Sequence, residues 1–202
     1  MAKELYTIGY SGFPDVEEFV STLKQYGIQI LIDVRSSPFS TYYEDYNKDL
    51  LTLTLHKNGI FYSNYARQFG ARQEDKSFYI NGRLDFETFA RSKQFLEGLQ
   101  SVEKSKAKIA FMCAEKHPSE CHRAILVTRA FHERGHKIVH IKPGNITLSQ
   151  EDIERELLDK YFPDRAQTSL FDDVEKTEDE YIAEAYRFRN DEIGFKLEDL
   201  DK

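Results

Sequence analysis

The densest group of reactive side chains in the sequence lies in residues 113–123, which read CAEKHPSECHR. This stretch contains both cysteines of the chain and two of its six histidines, together with acidic and basic side chains. Thiol, imidazole and carboxyl groups so close together could serve as metal ligands, as a redox pair, or as a nucleophile with its general base. The residue types define these three kinds of chemistry, and their spacing bears on the choice.

Cys121 is the candidate nucleophile. The apolar periodicity predicts a helix over residues 119–134, which places Cys121 in its first turn. A helix N-terminus and neighbouring cationic side chains, here His122 and Arg123, stabilise a thiolate and lower its pKa. The alternative is that Cys113 and Cys121 are ordinary buried thiols of the core.

Cys113, Cys121 and His122 form a second alternative, a metal site. Their spacing lacks the paired Cys-x-x-Cys pattern typical of structural zinc sites. Thiolate and imidazole donors nevertheless suit zinc or iron when a loop folds back on itself. The sequence specifies no cofactor, and metal binding stays open as an alternative.

Asp33 and Glu115 each follow a predicted strand and are candidates for a general acid and base, whereas His122 is predicted to assist Cys121 through nucleophilic or orienting contacts. The two carboxyl groups could equally pair with Arg35 and Arg123 and hold those guanidinium groups in position. Both interpretations stay open at the level of sequence.

A further set of polar residues is predicted to bind the substrate through an anionic group. Most of them follow or end predicted strands, and the carboxyl ends of parallel strands meet at one edge of a sheet. Free N–H groups at a helix start and two arginines favour a phosphate or carboxylate there. The predicted anion-binding residues are Tyr10, Ser11, Arg35, Ser40, Arg123 and His140.

Short apolar stretches alternate with amphipathic ones along the chain. This alternation predicts right-handed crossovers and a three-layer, Rossmann-like α/β domain with a mainly parallel sheet. The predicted strands are 5–8, 28–32, 60–62, 109–112 and 136–141, and the predicted helices start at Pro14 or span 50–55, 85–104 and 119–134, the last capped by Ser119.

The net charge of -7 is distributed unevenly. Residues 1–150 contain 20 Lys and Arg against 17 Asp and Glu, whereas residues 151–202 contain 8 against 18. We therefore expect one α/β domain over residues 1–148 and an acidic, partly helical extension over residues 149–202, with a helix over residues 181–195 that docks on the body. The weak positive charge of the body argues against general nucleic-acid binding but allows a local positive pocket.

The sequence contains no apolar run of about 18 residues, and its start, MAKELYTIGY, lacks the features of a secretory signal. We expect a cytoplasmic protein that does not bind a membrane. In that reducing compartment the two cysteines are available for packing, metal binding or catalysis.

The tail contains Gln167-Thr-Ser-Leu170-Phe171. It resembles the Gln-x-x-Leu-Phe peptide by which bacterial replication and repair proteins dock on the sliding clamp, with Leu and Phe as anchors for an apolar groove. Composition alone produces such a match in roughly one of twenty shuffled sequences. Clamp binding through Gln167, Leu170 and Phe171 is therefore a hypothesis.

Aromatic residues and arginines interleave between residues 35 and 83. Such sets stack bases and hold phosphates in single-stranded nucleic-acid binders. Rings in this number must also be buried somewhere, and we favour packing for most of them.

Five motifs occur in order along the chain: GYSG after the first predicted strand, DVRSSPFS after the second, then GIFY, MCAEKHPSECHR and VHI. In this order and spacing they resemble the family named domain of unknown function 488, over roughly residues 4–142. Members commonly have histidine at the position of Tyr10. The resemblance implies a Rossmann-like fold and brings no established reaction.

These features favour an enzyme acting on a phosphate-bearing small molecule, nucleotide or nucleic acid in a pocket at the strand ends. One alternative is a non-catalytic, ligand-sensing or DNA-repair-associated module that docks on a sliding clamp through its tail. The other is a metalloprotein that uses the Cys and His residues of the 113–122 loop.

Overall fold

The computed structural model describes residues 2–165 and 176–200, and a six-stranded sheet forms its centre. Its strands are β1 (Glu4–Gly9), β2 (Ile30–Asp33), β3 (Phe61–Asn64), β6 (Ile109–Cys113), β7 (Lys137–Lys142) and β8 (Ile146–Ser149), and a separate hairpin pairs β4 (Tyr79–Ile80) with β5 (Arg83–Leu84). The order is β3-β2-β6-β1-β7-β8, and only the β7–β8 pairing within this sheet is antiparallel.

Eight α-helices lie in the described residues and cover both faces of the sheet, which confirms the predicted three-layer, Rossmann-like α/β fold. They are α1 (Val16–Gln25), α2 (Lys48–Lys57), α3 (Ala66–Phe69), α4 (Phe86–Ala90), α5 (Lys93–Lys104), α6 (Arg129–His132), α7 (Gln150–Tyr161) and α8 (Glu178–Ile193). Helices α1 and α2 pack on one face, and the other six contribute to the core on the opposite face.

Strand β6 is buried along its whole length, as expected for an inner strand of a parallel sheet. The side chains of alternate residues along β6 pack into the cores on opposite faces of the sheet. Phe111 and Cys113 join the core beneath α3 to α8, whereas Ala110 and Met112 join the core beneath α1 and α2. This alternation fixes the side of the sheet on which the thiol of Cys113 lies.

Two predicted helix boundaries were wrong. Helix α1 does not begin at Pro14, because the side chain of Asp15 accepts a hydrogen bond from Glu18 N and sets the start one residue beyond the cap. The predicted helix 85–104 is two helices, since Ser92 caps α5 by accepting from Phe95 N.

The predicted helix 119–134 also begins differently. Residues Pro118–Glu120 form a 3₁₀ turn, so Ser119 is not a cap and Cys121 precedes the helix instead of lying in its first turn. The segment Arg123–Thr128 is π-helical and runs into α6. Thr128 donates its hydroxyl to Arg123 O at 3.0 Å within this wider coil.

The sequence patterns missed β8 and α7 after residue 142. Ser149 ends β8 and forms a capping box with Asp152 at the start of α7, so the domain boundary predicted at residue 148 falls inside a strand. The helix expected over 181–195 is present as α8, and its Ala185 and Tyr186 are part of the core.

None of the helices in the described ranges is long and apolar enough to cross a bilayer. The proposed clamp-docking residues Gln167, Leu170 and Phe171 lie outside the described residues. Clamp binding therefore stays a prediction.

Candidate functional site

The candidate site lies where the loops after β1 and β6 diverge toward opposite faces of the sheet. These strands are neighbours, with Gly9 paired to Cys113, yet β1 leads to α1 on one face and β6 leads to the π-helical segment on the other. Divergence of this kind opens a crevice at the carboxyl ends of parallel strands. Strand β2, which ends at Asp33, lies on the other side of β6 and completes the edge.

The cluster at this edge of the sheet comprises two thiols, an imidazole and a carboxyl group. Cys121 Sγ lies 2.9 Å from Glu115 Oε2 and 3.8 Å from His122 Nδ1. Cys113 Sγ lies 3.9 Å from the same Nδ1. Both cysteines are free and, like His122, almost wholly buried. The structure therefore brings together three of the four predicted catalytic residues.

The backbone orients the imidazole of His122. Its Nε2 lies 3.0 Å from the carbonyl oxygen of Val34, which only accepts hydrogen bonds, so Nε2 carries a proton. Nδ1 then faces the two sulfur atoms. Because Val34 precedes Arg35, this bond also joins the loop after β2 to the loop after β6.

Electrostatic interactions shift the pKa values of the two thiols in opposite directions. Burial opposes ionisation of Cys121, but the thiol of Cys113 and the charges of Arg123 and His122 outweigh it and hold the pKa of Cys121 well below its usual value. The hydrogen bond with Cys121, together with burial, raises the pKa of Cys113 well above its usual value. The two shifts are opposite in direction, so Cys121 is the thiol of the pair that ionises more readily.

The negative charge of Cys121 also shifts the pKa values of Glu115 and His122. Burial and the negative charge of Cys121 raise the pKa of Glu115. Burial disfavours protonation of His122, but the thiolate of Cys121 outweighs burial and raises the pKa of His122. The arrangement has the nucleophile, base and orienting group of a thiol enzyme.

The same atoms are also a metal-binding donor set. The sulfur atoms of Cys113 and Cys121 and Nδ1 of His122 all lie within 4.8 Å of one another. No other group of three such donors is found among the described residues.

Arg35 and Asp33 form a buried ion pair beside this cluster. Arg35 Nη2 donates to Asp33 Oδ2 at 2.7 Å and to Tyr46 O at 2.7 Å, and Nε donates to Asp33 as well. The hydroxyl of Tyr62 donates to the same carboxylate at 2.7 Å. The remaining nitrogen of Arg35, Nη1, is buried and has no partner.

Tyr10 links Arg35 to the thiol cluster. Its ring lies 5.1 Å from the Arg35 guanidinium carbon and stacks on Tyr46. Burial raises the pKa of Tyr10; Arg35 opposes this shift, and Cys113 and Glu115 add to it. The phenol is therefore within electrostatic reach of both the arginine and the cluster.

The guanidinium group of Arg123 is held by hydrogen bonds to backbone carbonyl groups. It donates to the carbonyl oxygens of Glu115, at 2.7 Å, and Lys116, at 3.4 Å, and its Nε is buried without a partner. These bonds hold the loop after β6 against Gly9, where an added Cβ would come 1.9 Å from Glu115 O. Gly9, the first glycine of the GYSG motif, is therefore required because the backbone of Glu115 leaves no room for a Cβ atom.

The other predicted anion-binding residues have protein partners. Ser11 donates its N–H to Ala114 O, and Ser40 Oγ accepts from the N–H groups of Tyr42 and Tyr43. His140 is buried, with Nδ1 2.8 Å from Thr7 Oγ1 and Nε2 3.1 Å from Gln150 Oε1. The structure thus places His140 in the interior.

Three contributors were not singled out from the sequence: Tyr46, Tyr62 and the carbonyl group of Val34. Tyr62 could have been noticed in the sequence, because it lies in a predicted strand. The structure adds that this strand, β3, pairs in parallel with β2. The carbonyl of Val34 could not have been noticed, since every residue has one.

A cavity of about 420 Å³ lies between α4, α5, α8 and the helix that ends in α6, and it contains none of the predicted site residues. Its lining includes Arg91, Arg129 and Arg187, with Glu87 among them. Arg129 and Arg187 both face Glu87, so charges on this wall are paired within the protein.

The fold and the cluster together define a three-layer α/β protein with a buried thiol, imidazole and carboxyl centre at the carboxyl ends of its strands. Over residues 15–130 the chain matches the family described as Domain of unknown function DUF488, and it belongs to that family. No curated protein and no solved structure matches the chain. The matched range contains Asp33, Arg35 and the whole 113–123 stretch.

Proposed function

We propose that this protein is an enzyme that binds a phosphate- or carboxylate-bearing substrate at the carboxyl ends of β1, β2 and β6. The observation that carries the proposal is Nη1 of Arg35, a buried guanidinium nitrogen without a hydrogen-bond acceptor in the structure; the phenol of Tyr10 is the polar group beside this guanidinium. Leaving such a group unpaired costs free energy, and an anionic substrate oxygen would supply the missing acceptor.

The reacting groups in this proposal are Glu115, Cys121 and His122. They contact one another, and the bond from His122 to Val34 O holds them next to Arg35. Carboxyl, thiol and imidazole groups support proton transfer and nucleophilic attack. Asp33 positions the arginine, because Arg35 and Tyr62 occupy its carboxylate oxygens.

The proposal favours a small substrate over a polynucleotide. Residues 36–47, which follow Arg35, contain Glu44 and Asp45 and no lysine or arginine. A nucleic-acid backbone needs several cationic contacts, and this segment repels it. Tyr43, half exposed, packs edge-on against Tyr10. This segment therefore covers Tyr10 and, behind it, the guanidinium of Arg35.

Ligand binding by the purified full-length chain tests the proposal. Calorimetric titrations would use inorganic phosphate, glycerol 3-phosphate, the nucleoside 5′-monophosphates and a single-stranded oligonucleotide. We expect at least one small phosphate compound to bind. The double variant Asp33→Asn/Arg35→Met should weaken that binding by roughly 10-fold or more, because one charge-assisted hydrogen bond contributes about 1.5–3 kcal/mol.

The double variant avoids an unpaired buried carboxylate, which would itself destabilise the protein. Arg91→Gln, at an exposed position outside the site, is the control. Failure of every probe to bind at millimolar concentration would contradict the proposal, as would undiminished binding by the double variant.

A further inference from the structure

Cys113, Cys121 and His122 approach one another with nearly the spacing of metal ligands. The two sulfur atoms lie 3.9 and 3.8 Å from His122 Nδ1. In a tetrahedral site with bonds of about 2.3 Å to sulfur and 2.0 Å to nitrogen, the sulfur and nitrogen ligands lie about 3.5 Å apart. A small inward movement of these side chains would therefore enclose a zinc ion.

The orientation of His122 fits the same role. With Nε2 donating to Val34 O, the neutral ring presents the lone pair of Nδ1 to the sulfur atoms. Metal-binding histidines usually donate their other N–H to a carbonyl or carboxylate in this way. The backbone N–H of Arg123 also donates to Cys121 Sγ at 3.4 Å, which supports a thiolate at that position.

The position of Cys113 favours metal binding over a thiol-catalytic site that consists of Cys121 and His122 alone. A nucleophile with its base requires only Cys121 and His122. Cys113 comes from a different element, the end of β6, and its sulfur atom converges on the same ring nitrogen. A shared metal accounts for all three side chains.

We propose that Cys113, Cys121 and His122 bind a zinc ion. Two thiolates neutralise its charge, as a buried site requires, and thiolate with imidazole selects zinc over magnesium or calcium. Three protein ligands leave a fourth position for water or substrate, as in catalytic zinc sites. The inference deepens the proposed function by making Cys121 and His122 metal ligands instead of reacting groups, and it rests on that function for the substrate that Arg35 would hold.

Glu115 lies outside the three-ligand set but next to it, with Oε2 2.9 Å from Cys121 Sγ. A zinc ion in this site would supply a Lewis acid at its fourth position, and Glu115 would lie beside the three ligands that hold it.

Metal analysis of the full-length chain, purified without a histidine tag, tests the inference. We expect one zinc ion per chain by mass spectrometry. After chelation, titration with cobalt(II) should produce the charge-transfer absorption of cobalt–thiolate bonds. Cys113→Ser, Cys121→Ser and His122→Gln should each lower zinc affinity by more than about 100-fold and weaken or abolish that absorption.

Two variants serve as controls. His117 lies in the same loop but faces Ser119, so His117→Gln should bind zinc as the wild type does. Glu115→Gln should also retain zinc. Circular dichroism would establish that each variant is folded before its affinity is compared. Equal zinc affinity in the wild type and a folded Cys121→Ser variant would overturn the inference.

The outcomes also separate this inference from the proposed function. If zinc does not bind but a phosphate compound binds through Arg35, the zinc inference alone fails, and Cys121 acts as a nucleophile. If zinc binds and no phosphate compound does, the proposed function fails while the metal site stands.

Discussion

Arg35 and Arg123 show how residues of one type acquire different roles from their partners. Both are buried. Arg123 donates to two loop carbonyls and holds the backbone after β6, whereas Arg35 pairs with the carboxylate of Asp33. Each leaves one buried nitrogen without a partner, Nε of Arg123 and Nη1 of Arg35. The sequence predicts both as anion-binding residues because it specifies the guanidinium groups without their partners. Only the folded environment distinguishes the two.

His140 makes a prediction at the same scale. Burial, and after it the charge of Arg123, lowers its pKa to about 3. The unfolded chain, with a histidine pKa of about 6.5, therefore binds more protons between these two values. The contribution of His140 to stability is complete above about pH 6.5 and is lost as the pH falls toward 3.

Urea denaturation between pH 7 and 5 would measure this effect. We expect the free energy of unfolding of the wild type to fall by as much as about 1.4 kcal/mol per pH unit from this residue. His140→Gln, which retains hydrogen-bonding groups, should flatten the dependence. His56→Gln changes an exposed histidine and should leave it unaltered. Parallel curves for the wild type and His140→Gln would show that the pKa of His140 is the same in the folded and unfolded chain, which would contradict the prediction.

Among the elements, the contact between the end of β1 and the loop after β6 is the tightest constraint on the site. Gly9 pairs with Cys113, and its Cα faces the carbonyl oxygen of Glu115. This contact holds the loop that carries Glu115 and Cys121 close to the sheet. The GYSG motif therefore helps to build the thiol cluster without contributing a reactive side chain.

Gly9→Ala should displace that loop. The added Cβ would meet backbone atoms, which do not move aside easily, so we expect stability to fall by about 2–4 kcal/mol. Gly12→Ala is a matched control, because its Cβ would meet side-chain atoms of Lys116 and Pro143 at 3.1 Å and beyond. Thermal unfolding would compare the two. Equal small losses would mean that the loop relaxes freely.

In the whole molecule, the acidic C-terminal part is packed into the α/β body. Asn190 of α8 accepts from Phe86 N at 2.7 Å and donates to Leu84 O at 2.8 Å. Tyr186 accepts from Gln150 Nε2, and Gln150 in turn contacts His140. The described part of the tail therefore completes the core on the face of the sheet that carries Cys113.

Asn190→Ala tests this packing. It leaves a buried N–H and a buried carbonyl group unpaired, each at about 1–3 kcal/mol, and we expect a loss of about 2–5 kcal/mol. Hydrogen exchange should show faster opening of α8 and α4. Asp191→Ala, at an exposed neighbouring position, should have little effect. Unchanged stability and exchange in Asn190→Ala would indicate that water replaces both hydrogen bonds.

The amino-acid sequence by itself determined the alternation of strands and helices and the identity of the reactive groups. Apolar periodicity is a property of short windows, so β1, β2, β6, β7 and α8 could be predicted within a few residues. It failed where capping decides the outcome, as at Asp15 and Ser92, and where β8 pairs antiparallel at the sheet edge.

Only the tertiary structure decided which reactive groups meet. Strand β6 inserts between β1 and β2, although it is far from both in the sequence, and this order brings Cys113 and Cys121 beside Val34 and Arg35. Strand order and side-chain partners depend on contacts between distant residues, which no local pattern encodes. The thiol cluster and the unpaired nitrogen of Arg35 are therefore products of the fold.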